Sequence, residues 1–345
     1  MVACNNAIPM DVCTLQTCCF EQGFLDYPPN LAVSVAYLTI FALFMMIQLG
    51  IAFYYRTWVF GFAIWGGLVL EIIGYVGRIL IRSNPFDMSI FLTYFIPLGL
   101  GPAFLTAAIY ITLGHVVIVF GEQYSRLKPK TYSLVFVCVD VFSLCIQAVG
   151  GGLTGSADTD SQRTIGTDIL IAGLALQAFS LGCFILLSAD FMLKVRKGNK
   201  EDRNPNFALL RAKKTFAGFQ IALPIAASVI MIRCIYRVIE LCEGFDGKLA
   251  NEEVPFDILE GPMIIIATLM LTVFHPGIVF RGGYWEASSW VIRTSKQGNR
   301  RIAASPEASH EEAALSVEKT ADSLTPMSSD MEEPFAAEPA AIDKE

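Results

Sequence analysis

Seven apolar runs, at residues 31–54, 58–81, 89–120, 132–153, 168–195, 216–241 and 257–280, leave this chain few folds to choose from. Each is long enough to cross a hydrocarbon core of about 30 Å at about 1.5 Å of helix rise per residue. Backbone polar groups in hydrocarbon must be satisfied internally, so runs of this length are read as helices. The expected fold class is an all-α membrane protein, a bundle of seven transmembrane helices. Composition agrees: 17% of residues are charged and 54% hydrophobic, where a soluble domain carries about 25% charge. The net charge of −7 says little about the bundle, because most of the acidic excess follows Ala303. The third run exceeds a single span and contains Pro97 and Pro102, so it is expected to tilt, kink or project beyond the bilayer.

Basic residues set the expected orientation. Arg56 follows the first run, and Arg126, Lys128 and Lys130 follow the third. The fifth loop holds Lys194, Arg196, Lys197, Lys200, Arg203, Arg211, Lys213 and Lys214. Arg281, Arg293, Lys296, Arg300 and Arg301 follow the seventh run. The alternate loops offer only Arg82, Arg163 and Lys248, offset by Asp87, Asp158, Asp160, Glu252 and Glu253. This bias places the N-terminus outside and the C-terminus in the cytoplasm, and a plasma-membrane location is expected. Three regions follow: an extracellular Cys-rich segment at 1–30, the seven-helix domain at 31–281, and an acidic cytoplasmic tail at 282–345. The tail is poor in aromatics and rich in Ala, Glu, Ser and Pro, a composition expected to be disordered.

The first twenty residues lack the basic stretch and apolar core of a cleavable leader, so the N-terminus is expected to be carried across by the first helix or to remain cytoplasmic, and the basic-residue bias favours the former. Cys4, Cys13, Cys18 and Cys19 cluster there. They are disulfide candidates if that segment faces an oxidising space, and free thiols if it does not.

Charged groups inside the runs need an explanation, since each costs about 2.5–3.5 kcal/mol at a helix centre on the insertion scale. In EIIGYVGRIL, Glu71, Tyr75 and Arg78 fall at i, i+4 and i+7 and share one helix face. The sixth run reverses the order with Arg233, Arg237 and Glu240, and the seventh opens on Asp257 and Glu260. Helix direction puts these groups at similar depth, toward the outer side. Asp140 and Gln147 share a face of the fourth helix. Two readings compete. The groups are interhelical salt bridges and snorkels that fix the bundle, or they line a polar cavity, open to the outer leaflet, that accepts the headgroup of an amphipathic lipid. Small residues in GPAFLTAAIY and AVGGGL are expected to let helices approach closely, and Pro97, Pro102, Pro224 and Pro262 are hinge candidates.

The ordered blocks GLVLEIIGYVGR, GPAFLTAAIYITLG, VCVDVFSLCIQAVGGGL, IAGLALQ, IRCIYRVIELCEG, NEEVPFDILEGPM and FHPG resemble the fungal lipid-translocating exporters, the aminocholesterol-resistance-like seven-helix proteins. The resemblance spans roughly residues 27–282. It implies movement of sphingoid long-chain bases, resistance to toxic amphiphiles or, in one branch, porphyrin or haem traffic. It also implies that Glu71, Tyr75, Arg78, Tyr110, Asp140, Gln147, Arg237, Glu240 and Asp257 occupy the family's recurring polar positions. Gln48 stands where relatives often carry His, and His115 where an Arg often ends the third-helix block.

Three classes of function compete for this pattern. A lipid exporter is favoured; no Walker motif is present, so coupling must come from a gradient, a partner or a downhill sink. Protonation of Glu71 or Asp140 is a candidate coupling step. A lipid sensor is the alternative, although the third helix does not close on an acid-Arg-aromatic triplet. A metal hydrolase would need three ligands and a water. His115 and His275, with Asp190 as a candidate third, are the poor set on offer. No enzyme activity, metal or cofactor is expected. The expected partners are membrane lipids and an amphipathic lipid cargo, not nucleic acid.

Overall fold

The computed structural model describes residues 13–280 except 158, 200–202, 245–246, 248 and 250–251; Cys4 and the acidic tail lie outside the described residues. The regular structure among the described residues is helical: α1 Leu31–Tyr55, α2 Trp58–Ile81, α3 Met88–Phe120, α4 Pro129–Gly155, α5 Asp160–Lys197, α6 Ala208–Arg211, α7 Lys214–Cys242, α8 Glu253–Leu259, α9 Gly261–Val273 and α10 Pro276–Phe280. Seven stretches are long and apolar enough to cross a membrane: α1 to α5, α7, and α8–α10 taken together.

Local chemistry sets most ends. The Asn30 side chain accepts hydrogen bonds from the N–H groups of Ala32 and Val33, and Asp87 accepts from Ser89, capping α1 and α3. Pro129 opens α4, where its missing N–H costs nothing. Gly121 ends α3 at φ 122°, a conformation that favours glycine. Two elements depart from the apolar runs. The fifth helix begins at Asp160, eight residues before its run, because Thr159 caps it and its first turns are polar. The run marks the apolar part of the helix, not its start. The seventh span is broken twice, at Glu260, two residues before Pro262 in the first turn of α9, and at Phe274–His275, directly before Pro276. Proline disfavours helical geometry in the residue before it and removes a hydrogen-bond donor.

The helices pack in sequence, α1 on α2, α2 on α3, α3 on α4, α4 on α5, α5 on α7 and α7 on α9, and α9 returns to α1. Central α3 also meets α5, α7 and α9, and every residue from Thr112 to Phe120 is buried. At 33 residues it reaches about 50 Å, longer than a bilayer core. Glycines bring neighbours close. A Cβ on Gly77 of α2 would lie 2.6 Å from the Tyr94 backbone nitrogen, and one on Gly150 of α4 would lie 2.5 Å from that of Leu170. Within AVGGGL only Gly150 is so constrained, since a Cβ on Gly152 meets nothing within 4 Å.

The bundle is inside out relative to a soluble protein. Met46, Phe62, Leu134, Phe142, Phe179 and Leu186 are each more than 60% exposed, while Glu71, Arg78, Arg233, Arg237 and Glu260 are at most 1% exposed. An apolar exterior around a polar interior is what lipid selects.

Candidate functional site: a buried ion-pair cluster with two spare acids

The sequence-predicted charges do come together, toward the end of the bundle formed by the C-terminal halves of α2 and α7, the N-terminal half of α3, and α8. Arg78 on α2 is paired with Asp257 on α8 at 3.5 Å and donates to the Tyr27 hydroxyl at 3.1 Å. Its guanidinium lies 3.8 Å from the centre of the Phe256 ring, a cation–π contact in a desolvated setting. Burial pushes the Tyr27 phenol up from its ordinary pKa, against the opposing pull of Arg78, so it stays a neutral hydroxyl. Arg237 pairs with Glu240 one turn along α7 at 2.8 Å, its guanidinium 4.5 Å from the centre of the Phe95 ring. Arg233 pairs with Glu260 and also donates to the Leu98 carbonyl. That carbonyl is available because Pro102, four residues on in α3, has no N–H to offer it. The carbonyl that Pro102 leaves free in α3 and an arginine of α7 therefore satisfy one another.

The break before α9 places Glu260 for this role. Glu260 terminates α8 and precedes Gly261, where a Cβ would collide with the Tyr37 ring at 2.6 Å and the Tyr75 hydroxyl at 2.8 Å. The Tyr37 hydroxyl donates to the Asp257 carbonyl at 2.8 Å, tying α1 to α8. Tyr75 stacks on Phe41 with ring centres 5.6 Å apart.

Three arginines thus take three acids, and Glu71 is left over. It is 1% exposed, and among the described residues its carboxylate forms no ion pair or hydrogen bond. Arg233, Arg237 and Glu260 all act on it electrostatically. A Cβ on Gly101 would sit 2.7 Å from its Oε1, so the glycine of GPAF makes the room this carboxylate occupies.

A second polar layer lies deeper. Asp140 of α4 accepts from Thr106 of α3 at 2.9 Å, with its other oxygen unpartnered, and the hydroxyls of Tyr110 and Ser180 flank it. The Tyr110 ring lies 4.5 Å, centre to centre, from Phe184 of α5. Gln147 donates to Gln177 of α5 at 2.9 Å. Asp140 is 3% exposed and Gln147 6%. In this conformation the whole predicted set is packed, with only Asp257 half-buried, its side chain 18% exposed. A cavity of about 770 Å³ between α3, α5 and α7 lies at the opposite end, and none of the eleven predicted residues lines it.

Other candidates find plain structural roles. Gln48 donates to Thr272 at 2.9 Å, joining α1 to α9. The His115 ring is hydrogen-bonded to the Ile111 carbonyl, and His275 Nδ1 accepts from Gly277 at the start of α10. Asp190 is held by Arg126 at 2.8 Å and Lys194 at 2.9 Å. Among the described residues no three metal-ligating side chains gather. Cys13 is disulfide-bonded to Cys18, and Cys19 is also in a disulfide. The sequence reading missed Tyr27, Leu98 and Phe256. Tyr27 lies outside any apolar run, and only Pro102 signalled that Leu98 had a carbonyl to spare.

Fold and interior together define a multi-pass membrane protein. The chain belongs to the RTA1-like family: the family described as "RTA1 like protein" matches residues 64–283. It is 35% identical over 281 residues to the sphingoid long-chain base transporter RSB1 of Saccharomyces cerevisiae, an alignment covering 74% of this chain and 73% of that one. From the same species, protoporphyrin uptake protein 1 is 31% identical over 205 residues, covering 58% of this chain and 64% of its own. Protein RTM1 is 29% identical over 216 residues, covering 62% and 67%. No solved structure matches.

Proposed function

We propose that this protein moves single-chain amphiphiles with a cationic headgroup, sphingoid long-chain bases or close analogues, across or out of the bilayer, through the interior that holds Glu71 and Asp140. The observation that carries the reading is the surplus of acid. Three buried arginines are matched one to one by Asp257, Glu260 and Glu240, while among the described residues Glu71 and Asp140 form no ion pair. A buried carboxylate is costly without one, and a protonated amine entering the bundle supplies it. Similarity to a sphingoid long-chain base transporter supports the same cargo class.

In this reading the paired residues are the frame and the two spare acids the working groups. Tyr75, Tyr110 and Gln147 offer hydroxyl and amide contacts beside them. The conformation described above is a closed one, and the breaks before α9 and α10 are the hinges by which it opens. The N-terminus faces outside, the tail faces the cytoplasm, and the plasma membrane is the site of action. Proton exchange at Glu71 or Asp140 couples headgroup release to a gradient.

The test is movement of lipid by the purified full-length chain in proteoliposomes, comparing a sphingoid base, a sterol amine and protoporphyrin. Faster transbilayer movement of the two amines, with protoporphyrin left at the rate of protein-free vesicles, is the expected result. Tight binding of the sphingoid base with no movement above that background would replace the transporter with a lipid sensor.

A further inference from the structure

The cavity between α3, α5 and α7 belongs to neither the ion-pair cluster nor the Asp140 layer. Its volume of about 770 Å³ falls in the range of ligand pockets, about 300–1,000 Å³. Its floor is apolar and closed: Ile109, Leu113, Phe184 and Ala227 are each no more than 3% exposed. One flank opens toward the lipid-facing surface, where the lining residues Leu193 and Ile221 are 54% and 59% exposed.

The mouth is different in kind. Arg196, Arg203 and Arg211 line it, at the end of the bundle that carries the basic fifth loop. Arg203 donates to the Val195 carbonyl at 2.8 Å and lies 5.7 Å over the Phe120 ring, while its buried Nε has no partner. Arg211 donates to the carbonyls of Val119 and Asn204. Among the described residues no carboxylate stands within ion-pair distance of these three arginines. Two of them repel: burial, and then the nearby Arg203 charge, hold the Arg211 guanidinium below its ordinary pKa. Positive charge that no described carboxylate pairs, two of its three guanidiniums held by backbone carbonyls, above a greasy slot open to lipid, is a site suited to an anion with a tail. Basic pockets between membrane helices on the cytoplasmic side hold anionic lipid headgroups in this way. Arginine also suits phosphate because its planar fork donates two hydrogen bonds at once.

We infer that this cavity binds an amphiphile with a phosphate headgroup, its chain between α5 and α7 and its phosphate among Arg196, Arg203 and Arg211. The site is distinct from the route proposed for cationic cargo, since the same arginines repel an amine. Its occupant is therefore a second lipid, which sits beside the transport path as an effector or as a counter-substrate.

The test uses the full-length chain in phosphatidylcholine nanodiscs, with lysophosphatidic acid as probe and lysophosphatidylcholine of the same chain length, sphingosine and inorganic phosphate as comparators. Lysophosphatidic acid should bind at least tenfold more tightly than the other three. Arg196→Gln, at an exposed position that holds no backbone carbonyl, should weaken it about fivefold, the worth of one basic residue at a membrane surface. Arg203→Gln with Arg211→Gln should weaken it more, in protein shown by gel filtration to stay monodisperse. Ala217→Trp, which narrows the slot without touching charge, should abolish binding; unchanged binding there would mean attraction to a basic surface and would overturn the site. So would equal affinity for the two lysolipids, or displacement by inorganic phosphate at matching concentration. Sphingosine movement by Arg196→Gln protein, measured in parallel, keeps the two proposals apart, because loss of phosphate-lipid binding with amine movement intact separates them.

Discussion

Replacing Glu260 by Gln should damage the fold far more than replacing Glu71 by Gln, although both are buried glutamates of one cluster. Glu260 is the acid partner of Arg233, and both side chains are 1% exposed. Removing one member leaves the arginine buried without its ion-pair partner, keeping its bond to the Leu98 carbonyl and the weaker pull of the nearby Glu71 carboxylate. Breaking a buried pair in this way costs about 3–5 kcal/mol, roughly a 150- to 4,000-fold shift in the folding equilibrium. Glu71 has no such partner, so Glu71→Gln orphans no cation and swaps a buried charge for a neutral amide of the same shape. Its effect on stability should be under about 1 kcal/mol in either direction, since burying the carboxylate was itself unfavourable. Unfolding of the purified protein in mixed micelles, by titration with a denaturing detergent, reads both. Adding Arg233→Met to Glu260→Gln should recover much of the loss, because it removes the buried charge that the single substitution leaves without an acid. Equal stability of Glu260→Gln and wild type, or a larger loss in Glu71→Gln, would refute the division into paired frame and spare acid.

Three further outcomes follow from the packing. Gly77→Ala puts a methyl 2.6 Å from the Tyr94 backbone nitrogen, and overpacking of this kind should lower stability by about 1–3 kcal/mol in the same titration. Thr106→Val removes the hydroxyl that Asp140 accepts from at 2.9 Å, leaving a buried acceptor short, at a cost of about 1–3 kcal/mol, while Ser156→Ala at an exposed helix end serves as the neutral control. Cys242 is a free, exposed thiol at the C-terminal end of α7; with the N-terminus outside, a membrane-impermeant maleimide should label it on intact cells and fail on Cys242→Ser, and labelling only after permeabilisation would reverse the orientation.

Much of this architecture was legible because lipid imposes a coarse and strict rule on sequence. An apolar run longer than about 20 residues has few alternatives to a spanning helix, and α2 and α3 end within a residue of their runs. The charged set was legible for the same reason, since Glu71, Arg78, Arg233 and Arg237 stand out against an apolar background. Their pairing was not. Helical periodicity gives a face and a depth, but which acid meets which base depends on helix rotation and on the break at Glu260, and that break turns a continuous apolar run into α8 and α9. Nor could periodicity place Tyr27 beneath Arg78, because the N-terminal segment carries no pattern that fixes its path. The cavity at the basic end was illegible for a further reason. It is a gap between three helices, and only the arginines at its mouth left a trace in composition, where they read equally well as a topology signal.

The measurement that bears most directly on the account is the rate of sphingoid-base movement in proteoliposomes carrying wild-type, Glu71→Gln or Asp140→Asn protein at equal, verified incorporation. A buried carboxylate that meets a charged amine contributes about 1.5–3 kcal/mol, so each substitution should slow movement by roughly tenfold to 150-fold with the fold intact. Wild-type rates in both variants would contradict the claim that the unpaired acids receive the headgroup.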